Sequence, residues 1–498
     1  MKKNLSDKLN TLFVLLLLTA GAFLVEGYHP FSEDAEIYLP GVEKILHPQL
    51  FPTWRVFFLS HASMTFFPNV VAFSLRITHL PFEAGLFLWH ITSIFLLLLA
   101  CWELSSLFFP SPRARWGSVC LIAALLSIPV AGTALYIMDQ YLNPRNLAAF
   151  AGIFMIARTL EKKYLRAGLW LAFAACMHPL MWVYPFSFCL LFVLMDFVGI
   201  ENLGSLWKRR NAAGFAALVW LGIPLAPVPS AAYHEAAKRH ANHYIQNWAW
   251  YELLGIIAPL ALFWCFGRIA RGRKWRVVER VSFAFILYGL IYLVLALLFD
   301  LPARFEALAR LQPLRSLHVL YIVLFLMIGG FLGEYVLKAH VWRWLLLFLP
   351  LCAGMFLAQR ALFPASAHLE WPGAAPRNPW EQAFVWIRQN SPVDALFALD
   401  PGYMDIAGED EVGFRCLAQR SRLADGVKDN GVVSMFPLLA ETWWAQVQDQ
   451  TPWKNFGSPD FAGLKNKYGV SWVVLQQQQA TGLACLYQNS VVRVCQLP

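Results

Sequence analysis

Apolar residues run through this chain in blocks of about twenty, the length that crosses a bilayer as a helix, each closed by a short polar connector. The blocks predict spans near 11–25, 84–109, 116–138, 146–160, 180–198, 211–228, 251–266, 281–299, 317–336 and 341–357. A shorter run at 167–177, broken from the next block by His178-Pro179, brings the count to about eleven. Residues 51–81 are apolar and aromatic but interrupted by Arg55, His61, Pro68, Asn69 and Arg76, which predicts an interfacial or re-entrant helix. Pro129 should kink the third span. The first apolar run continues past Ala20, Gly21 and Ala22 into Phe23, Leu24 and Val25, so an uncleaved first helix is expected rather than a signal peptide.

From about residue 376 the pattern changes to that of a water-soluble unit. Asn378-Pro379 reads as a helix start, and WEQAFVWIRQ carries apolar residues at helical spacing. ALFAL reads as a buried strand, LKNKYGVSWVVL as a helix end followed by a strand, and LACLYQNSVVRVCQL as a hairpin turning near Asn489. The chain therefore divides into a membrane region, 1–360, with a polar first loop at 27–82, a linker at 361–375 and a small α/β domain at 376–498.

Composition supports this layout: 58% of residues are hydrophobic and 14% charged. The net charge of +9 does not indicate nucleic acid, because the basic residues gather in alternate connectors such as Glu161-Lys162-Lys163 and Trp207-Lys208-Arg209-Arg210. Those connectors face the cytoplasm by the positive-inside rule, together with the N-terminus and its Lys2, Lys3 and Lys8. The first loop, the run DQYLNPRN, His178-Pro179, the 234–243 loop, the 300–315 segment and the C-terminal domain then share the opposite side. Six cysteines fall in apolar blocks, leaving Cys416, Cys485 and Cys495 in the exported domain. If the hairpin turns near Ser490, Cys485 and Cys495 face each other in an oxidising compartment, where a disulfide is expected. No cysteine-histidine spacing suits zinc, and there is no Walker loop.

The chemistry concentrates in residues 26–52, where Glu33, Asp34 and Glu36 stand beside His29, Ser32 and Tyr38 in a chain otherwise poor in charge. One reading makes Ser32 a helix N-cap with the three acids in the first turn, where they favour the macrodipole. The other makes them a reaction centre. This layout, with an acidic pair early in the first exported loop, resembles the GT-C superfamily of integral-membrane glycosyltransferases that use polyprenyl-phosphate-linked sugars. Glu33-Asp34 in SEDAEIY matches its first-loop acidic motif. RNLAAFAGIFMIARTLEKKYLRAGLWLAFAACMHP, LARLQPLRSLH and NPWEQAFVWIRQNSPVDALFALDP are similar to segments of bacterial members. The WWDYG-type signature of oligosaccharyltransferases is absent from the sequence.

The resemblance implies a GT-C-like polytopic α-helical protein of the bacterial cytoplasmic membrane, with a polyprenyl-phosphate sugar as donor and an envelope glycan, lipid or protein as acceptor. Such a donor carries its own leaving group. The site then needs a base for the acceptor and cations for the released phosphate. Asp34 is expected as the base with Glu33 beside it. The two carboxylates could also share a divalent metal, Mg or Mn. Arg145 and Arg315, at the starts of two spans, suit the phosphate, and His178, Tyr38, Glu36 and Arg310 complete the expected substrate-binding set. His234, His240 and His243 are expected in a solvated loop. A different class remains open: a non-catalytic membrane protein that binds envelope glycans or protein partners through its exported domain. A transporter is disfavoured, since the spans carry few charges.

Overall fold

The computed structural model describes residues 2–198, 230–300, 306–479 and 482–498. The predicted span at 211–228 and the basic run at 207–210 lie outside the described residues.

The first helix, α1 (Lys2–Glu26), is followed by the polar loop and a short helix, α2 (Ala35–Leu46). Two helices, α3 (Val56–Ala62) and α4 (Phe67–Thr78), then meet at a bend of 85°, where the sequence predicts an interrupted segment. The bundle continues with α5 (Phe82–Phe108), α6 (Pro112–Ala124), α7 (Pro144–Leu160), α8 (Tyr164–Met177) and α9 (Val183–Val198). Beyond them lie the helices Trp250–Arg273, Arg276–Asp300, Leu317–Phe331 and Val341–Leu362.

The protein is a multi-pass membrane protein. Among the described residues six helices are long and apolar enough to cross a bilayer, or seven if the bent α3–α4 pair counts as one span. The expected third span is a correction: α6 ends at Ala124, and the chain folds back irregularly so that Pro129 bridges Tyr136. Pro129 lacks an N–H and restricts Ile128 before it, so a continuous apolar run is no guarantee of a continuous helix. The segment 137–143 that this releases reaches the polar face of the bundle.

Inside the bundle, α7 is buried along nearly its whole length. Close packing of α6 on Leu317–Phe331 depends on glycine. A Cβ on Gly117 would stand 2.3 Å from the Gly329 carbonyl oxygen. That approach lets the Ser118 hydroxyl donate to the Leu326 carbonyl at 2.6 Å, the small-residue packing used between membrane helices. At the other extreme, Val341–Leu362 leaves Val341, Leu346, Leu349 and Leu357 more than 60% exposed, an apolar surface that suits lipid.

The C-terminal domain opens on the helix Pro379–Asn390, where the Asn378 carboxamide accepts the Trp380 N–H at 2.9 Å. Its five-stranded sheet has the order β2–β1–β3–β5–β4, built from β1 (Leu396–Ala398), β2 (Ser421–Arg422), β3 (Trp472–Gln476), β4 (Cys485–Gln488) and β5 (Val492–Gln496). β1 runs parallel to β2 and β3, and the β4–β5 hairpin closes the sheet antiparallel. Cys485 lies opposite Cys495 in the ladder, and the two are disulfide-bonded.

This domain is docked on the first loop through its backbone. The Glu33 N–H donates to the Glu411 carbonyl at 2.8 Å, and the Gly413 N–H to the Phe31 carbonyl at 2.7 Å. Segments nearly 400 residues apart thus share hydrogen bonds as strands of one sheet would.

Candidate functional site

Between the docked domain and the mouth of the bundle lies a cavity of about 450 Å³. Its wall is set by helix ends. Asp34 stands where α2 begins, with its N–H donating to the Tyr141 hydroxyl at 3.2 Å. Ser32, the expected N-cap, instead bridges Val412, and Glu33 adopts a left-handed backbone (φ +58°) that carries the chain into the helix. On the opposing wall Asn143 caps α7 by accepting the Arg145 N–H at 2.9 Å, which fixes Arg145 in the first turn.

Arg145 and Asp34 meet there. Arg145 Nη1 is 2.9 Å from Asp34 Oδ2, while its Nη2 reaches Asp139 Oδ1 at 3.1 Å. Lys428 enters from the C-terminal domain. Its Nζ is 3.7 Å from Asp34 Oδ1, 3.4 Å from Glu411 Oε2 and in contact with Glu33 Oε2. Burial alone would raise the Asp34 pKa, but Arg145, then Lys428 and Arg315, hold its carboxyl well below the usual carboxylate range. Burial likewise opposes the charge on Lys428, yet Glu33, Asp34 and Glu411 hold its pKa well above that of a free lysine.

Arg315 sits in the turn Pro313–Ser316 ahead of the helix Leu317–Phe331 and lines the same cavity, its Nε buried without a hydrogen-bond partner. Tyr38 lines it too, edge-on to His61. His178 lies at the break between α8 and α9. Its Nδ1 accepts the N–H groups of Leu180 and Met181 at 3.1 and 3.2 Å, closing the helix break, and the ring forms part of the cavity wall.

Two expectations need correction. Glu36 faces away from the cavity, because one residue past the start of α2 the side chain points to the other side of the helix. It is fully buried, accepting the Arg415 N–H at 2.7 Å and the Arg422 Nε–H at 2.9 Å, with Arg415 also paired to Asp429 at 2.7 Å. Arg310 is not on the cavity wall. Of the histidine loop, His234 is exposed as expected, whereas His240 and His243 are partly buried and stack at 4.7 Å on the cavity wall. Burial first, and then the Arg315 charge, push the His240 pKa down to about 4, so its ring is neutral near pH 7.

Lys428, Arg239, Asp405, His61, His240 and His243 complete the wall without having been picked out as site residues from the sequence. For Lys428 the available signal was the turn-rich run DGVKDNG in the C-terminal domain; the others carry no local pattern. Arg145, Arg239, Arg315 and Lys428 face Glu33, Asp34 and Asp405 around the cavity, giving an anion-attracting space with one acidic edge. Among the described residues no group of three or more His, Cys, Asp or Glu side chains is placed to hold a metal ion.

Membrane helices, an acidic first loop and a docked C-terminal α/β domain enclose the polar cavity, a fold that this chain shares with a solved oligosaccharyltransferase. The similarity is to an Archaeoglobus fulgidus oligosaccharyltransferase solved in the apo form: TM-score 0.50, 11% identity, covering 94% of this chain and 69% of that one. The archaeal oligosaccharyltransferase AglB from Archaeoglobus fulgidus, in complex with an inhibitory peptide and a dolichol-phosphate, aligns with a TM-score of 0.49 at 11% identity, over 94% and 69% of the two chains. No protein-family model and no curated protein matches the sequence.

Proposed function

We propose that this chain is an inverting glycosyltransferase of the bacterial cytoplasmic membrane, moving a sugar from a polyprenyl-phosphate donor to an envelope glycan, lipid or protein on the outer face. The observation that carries the reading is the meeting of Asp34, Arg145 and Arg315 in one cavity at the ends of apolar helices. The Lys/Arg asymmetry of the connectors supports a cytoplasmic N-terminus, and hence an outward-facing cavity.

The donor phosphate lies against Arg315 and Arg145, whose forked donors suit it. The acceptor heteroatom attacks the anomeric carbon from the Asp34 side. The bond from that carbon to the phosphate oxygen breaks, its electron pair leaves with the phosphate, and the acceptor proton passes to Asp34. In the resting site Asp34 is a weak base because Arg145 and Lys428 hold it ionised. A bound phosphate shares the Arg145 charge, and the carboxylate gains basicity only when donor is present. His178 and Tyr38 border the sugar, and neutral His240 and His243 offer it ring faces and N–H groups.

The same ion pairs favour a second reading, in which Asp34 is a structural clasp in a non-catalytic protein that binds envelope glycans or partners. Transfer from a defined polyprenyl-phosphate sugar by the purified full chain separates the two. Activity in the wild type that disappears in Asp34→Asn supports catalysis. Full activity after both Asp34→Asn and Glu33→Gln, in folded protein, rejects it.

A further inference from the structure

We infer that Lys428 occupies the place of a divalent cation, so that the Glu33–Asp34 pair draws its counter-charge from the C-terminal domain and works without a bound metal. The inference rests on the catalytic reading for its importance, although not for its test. Three carboxylates converge on the one ammonium: Glu33 Oε2 in contact with it, Glu411 Oε2 at 3.4 Å and Asp34 Oδ1 at 3.7 Å. The second oxygen of Asp34 is committed to Arg145 at 2.9 Å. A magnesium or manganese ion needs octahedral oxygen ligands about 2.0–2.2 Å away and keeps several waters. It cannot share this space with an ammonium at hydrogen-bonding distance, since like charges so close are strongly disfavoured.

Lys428 is also built into position. Its side chain is 11% exposed. Its backbone N–H donates to Asp425 Oδ1 at 2.6 Å, and Asp425 accepts the N–H groups of Val427 and Asp429 with the same oxygen. A loosely tethered lysine could swing aside for a metal. This one starts the helix Asp429–Met435 with its backbone held at that carboxylate.

The substitution that should create a metal site is therefore Lys428→Ala, which leaves three carboxylates around the vacated volume. Manganese(II) binding to the purified full chain, followed by electron paramagnetic resonance, reads this without an activity assay. The wild type is expected to bind no manganese at this site and to keep any transfer activity in EDTA. Lys428→Ala should bind one ion per chain, lost again when Asp34→Asn is added, whereas Lys428→Arg should bind none. Manganese bound by the wild type and released by Asp34→Asn would overturn the inference, whether or not the lysine variants fold. So would a folded Lys428→Ala that binds none. Absence of transfer from every donor tried would count against the functional reading alone.

Discussion

Asp34 and Glu36 stand two residues apart in the same short helix and meet different fates. Asp34 opens onto a cavity, its side chain 22% exposed, held by cations from the bundle and from the C-terminal domain. Glu36 is sealed among Arg415, Arg422, Asp425 and Asp429 with no exposure at all. The difference teaches that one acidic cluster in sequence performs two tasks. One acid serves the cavity; its neighbour fastens the domain that closes it. A carboxylate with room for a ligand can change partners, whereas one with its lone pairs fully committed cannot.

That division can be broken deliberately. Asp34→Asn should lower transfer by on the order of 10²–10⁴ while the protein still folds with only a modest loss of thermal stability, since Arg145 keeps Asp139 and Lys428 keeps Glu33. Loss of activity together with loss of folding would place Asp34 with Glu36 as a structural acid. Glu36→Ala should do the reverse: it takes the shared acid from two buried guanidinium groups, leaving Arg415 only Asp429 and Arg422 only Asp425, so the melting temperature should fall and limited proteolysis should release the C-terminal domain. If Glu36→Ala melts like the wild type, the clasp is not what holds the domain.

Arg315→Ala should raise the donor KM, with Arg315→Lys restoring only part, because a point charge replaces a fork; about tenfold, or 1.4 kcal/mol, is expected between the two variants. His240→Ala should cost only a few-fold, as a neutral hydrogen bond contributes about 0.5–1.5 kcal/mol. Its effect should be the same at pH 6 and pH 8, since the ring titrates near 4. A loss confined to the acid side of pH 7 would contradict the neutral ring.

The smallest effect concerns a third contact of the loop, where His29 Nδ1 lies 2.7 Å from Glu370 Oε1. Burial, opposed by the Glu381 hydrogen bond and reinforced by Asp410, raises the Glu370 carboxyl from 4.5 to about 8. Folding therefore favours the protonated form. No penalty exists below about pH 4.5, where both states hold the proton, and stability falls as pH rises from there to about 8. Glu370→Gln should flatten that slope in melting curves taken across the interval, and an unchanged slope would assign the effect to another group.

Much of this was legible in the chain. The helix start at Asn378-Pro379, the β4–β5 hairpin of the C-terminal domain and the interruption at 56–78 each follow from local rules that act within a few residues. Asp34, Arg145, Arg315, His178 and Tyr38 could be chosen because polar groups at the ends of apolar blocks must face water or one another. Lys428 and the two stacked histidines could not, since their pairing depends on docking across hundreds of residues and leaves no period in the sequence. Arg310 was chosen by the same rule as Arg315, five residues away, but only Arg315 reaches the cavity wall. The apolar stretch beyond Ala124 misled for the opposite reason: hydrophobicity reports burial, and a buried segment between helices is as apolar as a helix.

Ribosomes make this loop long before they make its partners. Glu33 is separated from Lys428 by 395 positions, and Glu36 from Arg415 by 379. At about 5–20 residues per second, the delay between the two is about 20–80 s. Throughout that interval Glu33 and Glu36 lack these partners, while Asp34 already has Arg145. A chaperone or protease at the membrane surface could read them as the mark of an unfinished molecule. The cavity acquires its last cation only once the C-terminal domain has folded, so a nascent chain does not carry the finished charge balance ahead of its own completion.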